Sequence, residues 1–251
     1  MLKNIKYKFY YINLDRSIGR KKYMENFLKN NRHQRIQGLD GKNKNYALRF
    51  FVNPTKRRIK NTLPELCCVY SHIKAMKVFL DDKENTDDYA FICEDDLDIH
   101  PETKDINFDK HISKLPEDWE IYQLCSGAFS FLKSKSKEKN RNKYLVKFIK
   151  HTPSLFGTVI YIIKRKAAER MVNKYLKYYK GNNILVLPST KEASNITADN
   201  FIYSVNKSYS RIPCIFRQHI KNISTIHKNN SRTHIKNYKI NKILWNLHEK
   251  L

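Results

Sequence analysis

Three carboxylates in a row, Glu94, Asp95 and Asp96, end the short apolar run Tyr89-Ala90-Phe91-Ile92-Cys93. The run has the length and side chains of a buried strand. Strands of an α/β sheet present their C-terminal ends to the ligand crevice. Acids crowded at such an end raise one another's pKa. A divalent cation relieves that repulsion, and hard carboxylate oxygens suit Mn²⁺ or Mg²⁺. The chemistry to expect is a metal site that holds a phosphorylated donor. A solvated acidic turn is the other reading, because Asp98 and Glu102 continue the acidity. The triplet alone leaves both open.

Other groups fall at intervals along the chain. Ile12-Asn13-Leu14-Asp15-Arg16, with Arg20 one turn later, sets polar and basic groups just past an apolar run. Gly38-Leu39-Asp40-Gly41 follows a second strand-like stretch, and Glu65-Leu66-Cys67-Cys68-Val69-Tyr70-Ser71-His72 falls in a helical pattern. Phe156 to Glu169 and Thr197-Ala198-Asp199-Asn200 complete the series. In order and spacing these motifs resemble glycosyltransferase family 25, the lipooligosaccharide and collagen galactosyltransferases, from residue 7 to residue 226. Each motif is weak alone, and their order carries the resemblance. The chain departs from the family pattern at Cys67, where the family has Gly before Cys, in the Arg217-Gln218-His219 context of its late Gln, and in an extra basic loop.

The resemblance implies a GT-A type fold, a Rossmann-like mixed sheet flanked by helices, with a UDP-sugar as donor substrate and Mn²⁺ (or Mg²⁺) as cofactor. On that pattern Asp96 is a direct metal ligand, and Glu94 holds the donor ribose or a metal-bound water. Asp95 points the other way on an extended backbone and reads as a structural acid. Asn13, Asp15, Arg16, Arg20, Gly41, Ser71 and His72 are the other candidate donor-binding residues, and His219 is a further metal ligand. Blander assignments stand beside these: Asn13 closes a turn, the arginines are surface residues, and His72 is a satisfied core histidine. The family inverts at the anomeric carbon, which requires a carboxylate to deprotonate the acceptor hydroxyl. Asp199 is the candidate base; Asp is also a routine helix N-cap.

The elements that must position these groups alternate in type, which argues for α/β. Strands are predicted at Tyr7–Leu14, Gln34–Gln37, Tyr89–Cys93, Trp119–Leu124 and Leu155–Ile163, with short candidates at Leu185–Leu187 and Ile212–Phe216. A helix follows Asp15 from Ser17 to Asn30, with Ile18, Met24, Phe27 and Leu28 facing in. A second starts at Pro64 and runs to Leu80, and a third spans Lys164–Tyr178. Phe50–Thr62 and the low-complexity Lys133–Lys143 read as basic loops. The expected division is a transferase domain over 1–226 and a basic tail over 227–251. In the tail Ile240, Ile243, Leu244, Leu247 and Leu251 fall at helical spacing, for docking on the domain or for interfacial membrane binding.

Bulk properties bound the rest. The 251 residues are 41% hydrophobic and 12% aromatic, enough for a real core. No apolar run is long enough to span a membrane, and the N-terminus lacks a signal-peptide pattern. The expected location is the cytosol or its membrane face. Five cysteines form no CxxC pair, so a structural zinc site is not expected. The net charge of +25 favours polyanions, including an anionic membrane surface. It also motivates an alternative, a nucleic-acid-binding protein or metal-dependent nuclease, although no nucleic-acid motif is present and no specific nucleic-acid partner is expected. A catalytically silent relative is a third possibility, against which the intact Glu94, Asp96 and Asp199 speak. The expected partners are the donor and a glycan, glycolipid or hydroxylated protein acceptor.

Overall fold

The computed structural model describes residues 5–52, 61–101, 103, 106–127, 155–187, 196–219 and 231–248. The predicted loop Lys133–Lys143, most of the loop Phe50–Thr62, and Leu251 lie outside them. In chain order the first half holds β1 (Phe9–Asn13), α1 (Ile18–Phe27), β2 (His33–Gln37), α2 (Lys44–Leu48), α3 (Leu63–Asp81) and β3 (Tyr89–Glu94). There follow β4 (Leu97–Ile99), α4 (Phe108–Ile112), β5 (Ile121–Gln123), β6 (Ile160–Lys164) and α5 (Arg165–Tyr175). The last elements are β7 (Leu176–Tyr179), β8 (Asn182–Leu185), α6 (Ala198–Ser204), β9 (Ser208–Ser210), β10 (Phe216–Gln218) and α7 (Ser231–His248).

Six strands form one sheet in the order β2-β1-β3-β6-β5-β9. β1 pairs in parallel with β2 and β3, β6 runs antiparallel to both β3 and β5, and β9 is parallel to β5. This is the expected mixed sheet flanked by helices. Strand periodicity divides its apolar residues between two cores. Tyr10, Ala90, Ile92 and Ile163 pack with Val69, Ile73, Met76 and Phe79 of α3. Phe9, Tyr11, Phe91 and Cys93 pack on the other face with Met24 of α1 and the adjoining Leu28. Because β6 is antiparallel, its N-terminal approach reaches the edge where β1 and β3 end: the Glu94 amide donates to the Val159 carbonyl at 2.9 Å.

α3 is the longest helix of that first half. Thr62 precedes it, Pro64 sits in its first turn, and the Glu65 carboxylate accepts from the Thr62 amide at 2.7 Å, half of a capping box. Its inward face includes Cys67, Ser71 and His72 as well as the apolar Leu66, Val69, Ile73, Met76 and Phe79. The small strands β4 and β10 pair antiparallel, with Gln218 opposite Leu97, and so bring the chain after residue 215 back onto the acidic turn.

Several boundaries differ from expectation. Ile18 is 62% exposed rather than inward; it opens α1, and a helical side chain covers the turn N-terminal to itself, here beyond the packed face. The third predicted helix stops at Tyr175, because Tyr178 and Tyr179 enter a hairpin closed by Lys180 and Gly181 at φ 46° and 80°. The predicted strand Ile212–Phe216 begins only at Phe216, since Pro213 lacks a ladder donor. Strands β4 and β9 and helices α2 and α4 were not anticipated.

α7 packs on the sheet domain. Its Trp245 indole donates to the Cys214 carbonyl at 2.9 Å, its Asn241 side chain accepts from the Cys214 amide at 2.9 Å, and Asn237 donates to the Gly127 carbonyl at 2.8 Å. No helix among the described residues is long and apolar enough to cross a membrane. Trp245→Ala removes the anchor of α7, and removing a large buried aromatic costs about 3–5 kcal/mol. The expected result is faster tryptic cleavage within α7 together with a loss of that order in urea denaturation.

Candidate active site

The C-terminal ends of β1 and β3, the N-terminal approach to β6 and the start of α6 converge on one edge of the sheet. Strand alternation sends the three acids apart. Glu94 continues the α3 side, where Thr158 donates to its Oε1 at 2.6 Å and His72 Nε2 stands 3.6 Å from the same oxygen. Asp95 turns to the α1 side, accepting from Asn13 Nδ2 at 2.7 Å and pairing with Arg20 at 2.7 Å. Asp96 is buried in the turn after β3. One of its oxygens accepts from Gln218 at 2.6 Å, and the other makes no hydrogen bond among the described residues.

The electrostatics follow from burial. Desolvation and the neighbouring Glu94 push the Asp96 pKa up to about 7, against the partial relief that Arg20 provides. Burial also raises Asp95, and Arg20 and Asn13 offset part of that rise. Glu94 goes the other way: burial would raise it, but His72, Thr158 and Arg20 together hold it below the ordinary carboxylate range. Their surroundings thus drive Glu94 and Asp96 in opposite directions, Glu94 toward its charged form and Asp96 away from it. The orphaned Asp96 oxygen and this repulsion fit a hard divalent cation held by Glu94 and Asp96.

Two cavities meet here. The smaller, about 190 Å³, is lined by Arg16, Arg20, Gly38, Asp40, Gly41, Ser71 and His72, among others. The larger, about 510 Å³, holds Asp199, Gly157, Thr158, His100 and Gln218, with Asn237, Tyr238 and Asn241 of α7 in its wall. Cys68 and Glu94 line both.

Of the residues singled out in the sequence, Arg16, Arg20, Gly41, Ser71, His72 and Glu94 share the smaller cavity. Arg16 crosses to the Asp40 carboxylate. Ser71 is fully engaged: its hydroxyl donates to the Cys67 carbonyl at 2.7 Å and accepts from the Leu39 amide at 2.9 Å, pinning the Gly38–Gly41 turn to α3. Asn13, Asp15, Asp96 and His219 stand outside both linings. Asn13 is buried and orients Asp95, while Asp15 is exposed and pairs with Arg35 and Gln37. The backbone amide of His219 donates to the Asp96 carbonyl at 2.6 Å, and its ring packs on Tyr23 at 4.6 Å. Asp199 is not the N-cap of α6; Thr197 is. Its carboxylate instead accepts from the Gly157 amide at 3.0 Å and the Asn200 amide at 2.9 Å. Thr158 and Gln218 fall within motifs that carried the resemblance but were not singled out as site residues; their partners, Glu94 and Asp96, lie far away in sequence.

Gly41 has a steric role. A Cβ there would lie 2.8 Å from the Pro64 backbone, so α3 and the turn could not keep their present approach. Gly41→Ala is expected to cost about 1–3 kcal/mol, the usual penalty of overpacking, and to lower the melting temperature measured by circular dichroism.

A family model described as glycosyltransferase family 25 (LPS biosynthesis protein) matches residues 6–187. Among solved structures the chain is similar to a glycosyltransferase involved in the glycosylation of the major capsid of PBCV-1, at 7% identity and a TM-score of 0.36, over 96% of this chain and 100% of that one. No curated protein matches the chain.

Proposed function

The chain belongs to glycosyltransferase family 25, and from that premise we propose that it moves a hexose, galactose or glucose, from a UDP-sugar to a hydroxyl of a glycan, glycolipid or hydroxylated protein, with inversion at the anomeric carbon. The observation that carries this reading is the position of Glu94 in the wall of both cavities. One cavity is rimmed by Arg16, Arg20 and Lys42, suited to a nucleoside diphosphate; the other contains a carboxylate suited to an acceptor.

Mn²⁺ or Mg²⁺, held by Glu94 and Asp96, would neutralise the diphosphate as it leaves. The chain's own residues supply the remaining steps. Arg20 spans Asp95 and Asp96, at 2.7 and 3.9 Å, and brings positive charge to the same edge. The turn Gly38–Gly41 offers backbone to the nucleoside. Asp199, held by the Gly157 and Asn200 amides, takes the proton of the acceptor hydroxyl. The acceptor oxygen bonds to the anomeric carbon from the face opposite the phosphate, the bond from that carbon to the phosphate oxygen breaks, and UDP departs with the bonding pair.

The test is calorimetric titration of the full chain with UDP, GDP and CMP, in Mn²⁺ and in EDTA, followed by NMR of the product anomer. Binding of UDP that requires Mn²⁺, and a β-linked product from an α-linked donor, are expected. Absence of Mn²⁺-dependent binding by all three nucleotides, or retention of configuration, overturns the reading.

A further inference from the structure

Where the two cavities meet, the donor set changes character. Cys68 and His72 lie four residues apart on α3, so both project from one face of the helix. Glu94 comes to them from the end of β3. The Cys68 sulfur, one imidazole nitrogen of His72 and one carboxylate oxygen of Glu94 all lie within 4.8 Å of one another. His72 is fully buried, and its Nε2 makes no hydrogen bond among the described residues, although it faces Glu94 Oε1 at 3.6 Å. The other ring nitrogen is 3.2 Å from the Tyr161 hydroxyl, which fixes the ring plane. A thiol, a buried imidazole nitrogen and a carboxylate oxygen, donor types that bind metals, are thus gathered at one place.

We propose that Cys68, His72 and Glu94 form a second cation site, selective for a borderline ion such as Zn²⁺ over Mn²⁺ and Mg²⁺. Sulfur and imidazole donors choose Zn²⁺, whereas all-oxygen sets choose the harder ions. Tetrahedral Zn²⁺ needs its donors about 3.3–3.8 Å apart, so small side-chain rotations close the set, leaving a fourth position open toward the cavities. Binding releases the Cys68 thiol proton to solvent. His72 then carries its proton on the nitrogen facing Tyr161 and coordinates through Nε2, an outer contact of the kind that orients metal-binding histidines. The site shares Glu94 with the proposed donor site, so Zn²⁺ bound here withdraws that carboxylate from the harder ion.

The ligand set evades a search for paired cysteines. Its two helical members are a single Cys and a single His, and its third member comes from a strand.

The test uses the full chain stripped of metal by chelator and then titrated with Co²⁺, without nucleotide, so that its outcome is independent of the donor reading. One equivalent of Co²⁺ is expected to give a thiolate-to-cobalt charge-transfer band in the near ultraviolet. Zn²⁺ should bleach the band, and excess Mn²⁺ should not. Cys68→Ser should abolish it and Cys67→Ser should keep it, with circular dichroism confirming that both variants are folded. His72→Gln leaves the thiol in place and should weaken Co²⁺ binding at least about tenfold. Absence of the band in the parent, its survival in Cys68→Ser, or unchanged affinity in His72→Gln overturns the proposal.

Discussion

Asp199→Asn is expected to keep Mn²⁺-dependent UDP binding within about twofold and to lower kcat about 10³-fold, within the range for loss of a general base. The carboxylate accepts one hydrogen bond from the Gly157 amide and one from Asn200. An amide oxygen can keep the longer-range bond to Gly157, so the loop before β6 and the start of α6 stay in place. Basicity is what disappears. Asp199 lies in the larger cavity and not in the smaller, so a nucleoside diphosphate in the smaller one loses no contact. Steady-state kinetics paired with calorimetry separate the two effects. A fall in UDP affinity matching that of Asp96→Asn would mean that Asp199 belongs to the donor site, and the base assignment would fail.

Much of the frame was legible because hydrophobic periodicity writes strands and helices directly. The β1, α3 and β3 segments read correctly from apolar runs and from Pro64, and their alternation predicted the class of sheet. The family resemblance rested on motif order, and the family match over residues 6–187 agrees with it. That membership makes the chain a glycosyltransferase and displaces the nuclease alternative, which rested on net charge. What escaped the sequence was pairing at long separation. Gln218 reaches Asp96 across 122 positions, and Thr158 reaches Glu94 across 64. Neither follows from any local pattern, because each depends on where the small β4–β10 ladder and the β6 approach dock. The hairpin after α5 was lost for a different reason. Tyr178 and Tyr179 continue the chain without a proline, and the turn announces itself only through Gly181, the one residue there that adopts positive φ without cost.

The acidic turn also illustrates how a site can cost stability. Asp96→Asn is expected to remove Mn²⁺-dependent UDP binding by about 100-fold or more, since disturbing even the outer partners of a metal site costs up to about 100-fold. The same substitution should stabilise the metal-free protein, in a pH-dependent way. In the folded chain, burial and Glu94 raise the Asp96 pKa from 3.8 to about 7. The folded state therefore holds this proton more tightly than the unfolded chain does. The corresponding stability is fully present below pH 3.8 and drains away as pH rises to about 7. Asparagine carries no charge to bury and can still accept the Gln218 hydrogen bond. The melting temperature of the variant minus that of the parent should thus widen between those two pH values and level off above them, in EDTA. Added Mn²⁺ should raise the parent and leave the variant where it was, closing the gap. A variant that melts below the parent in EDTA at pH 8 would show that Asp96 is already stabilised without a cation, by Arg20 and Gln218 alone, and would remove the physical reason for placing a metal at this turn.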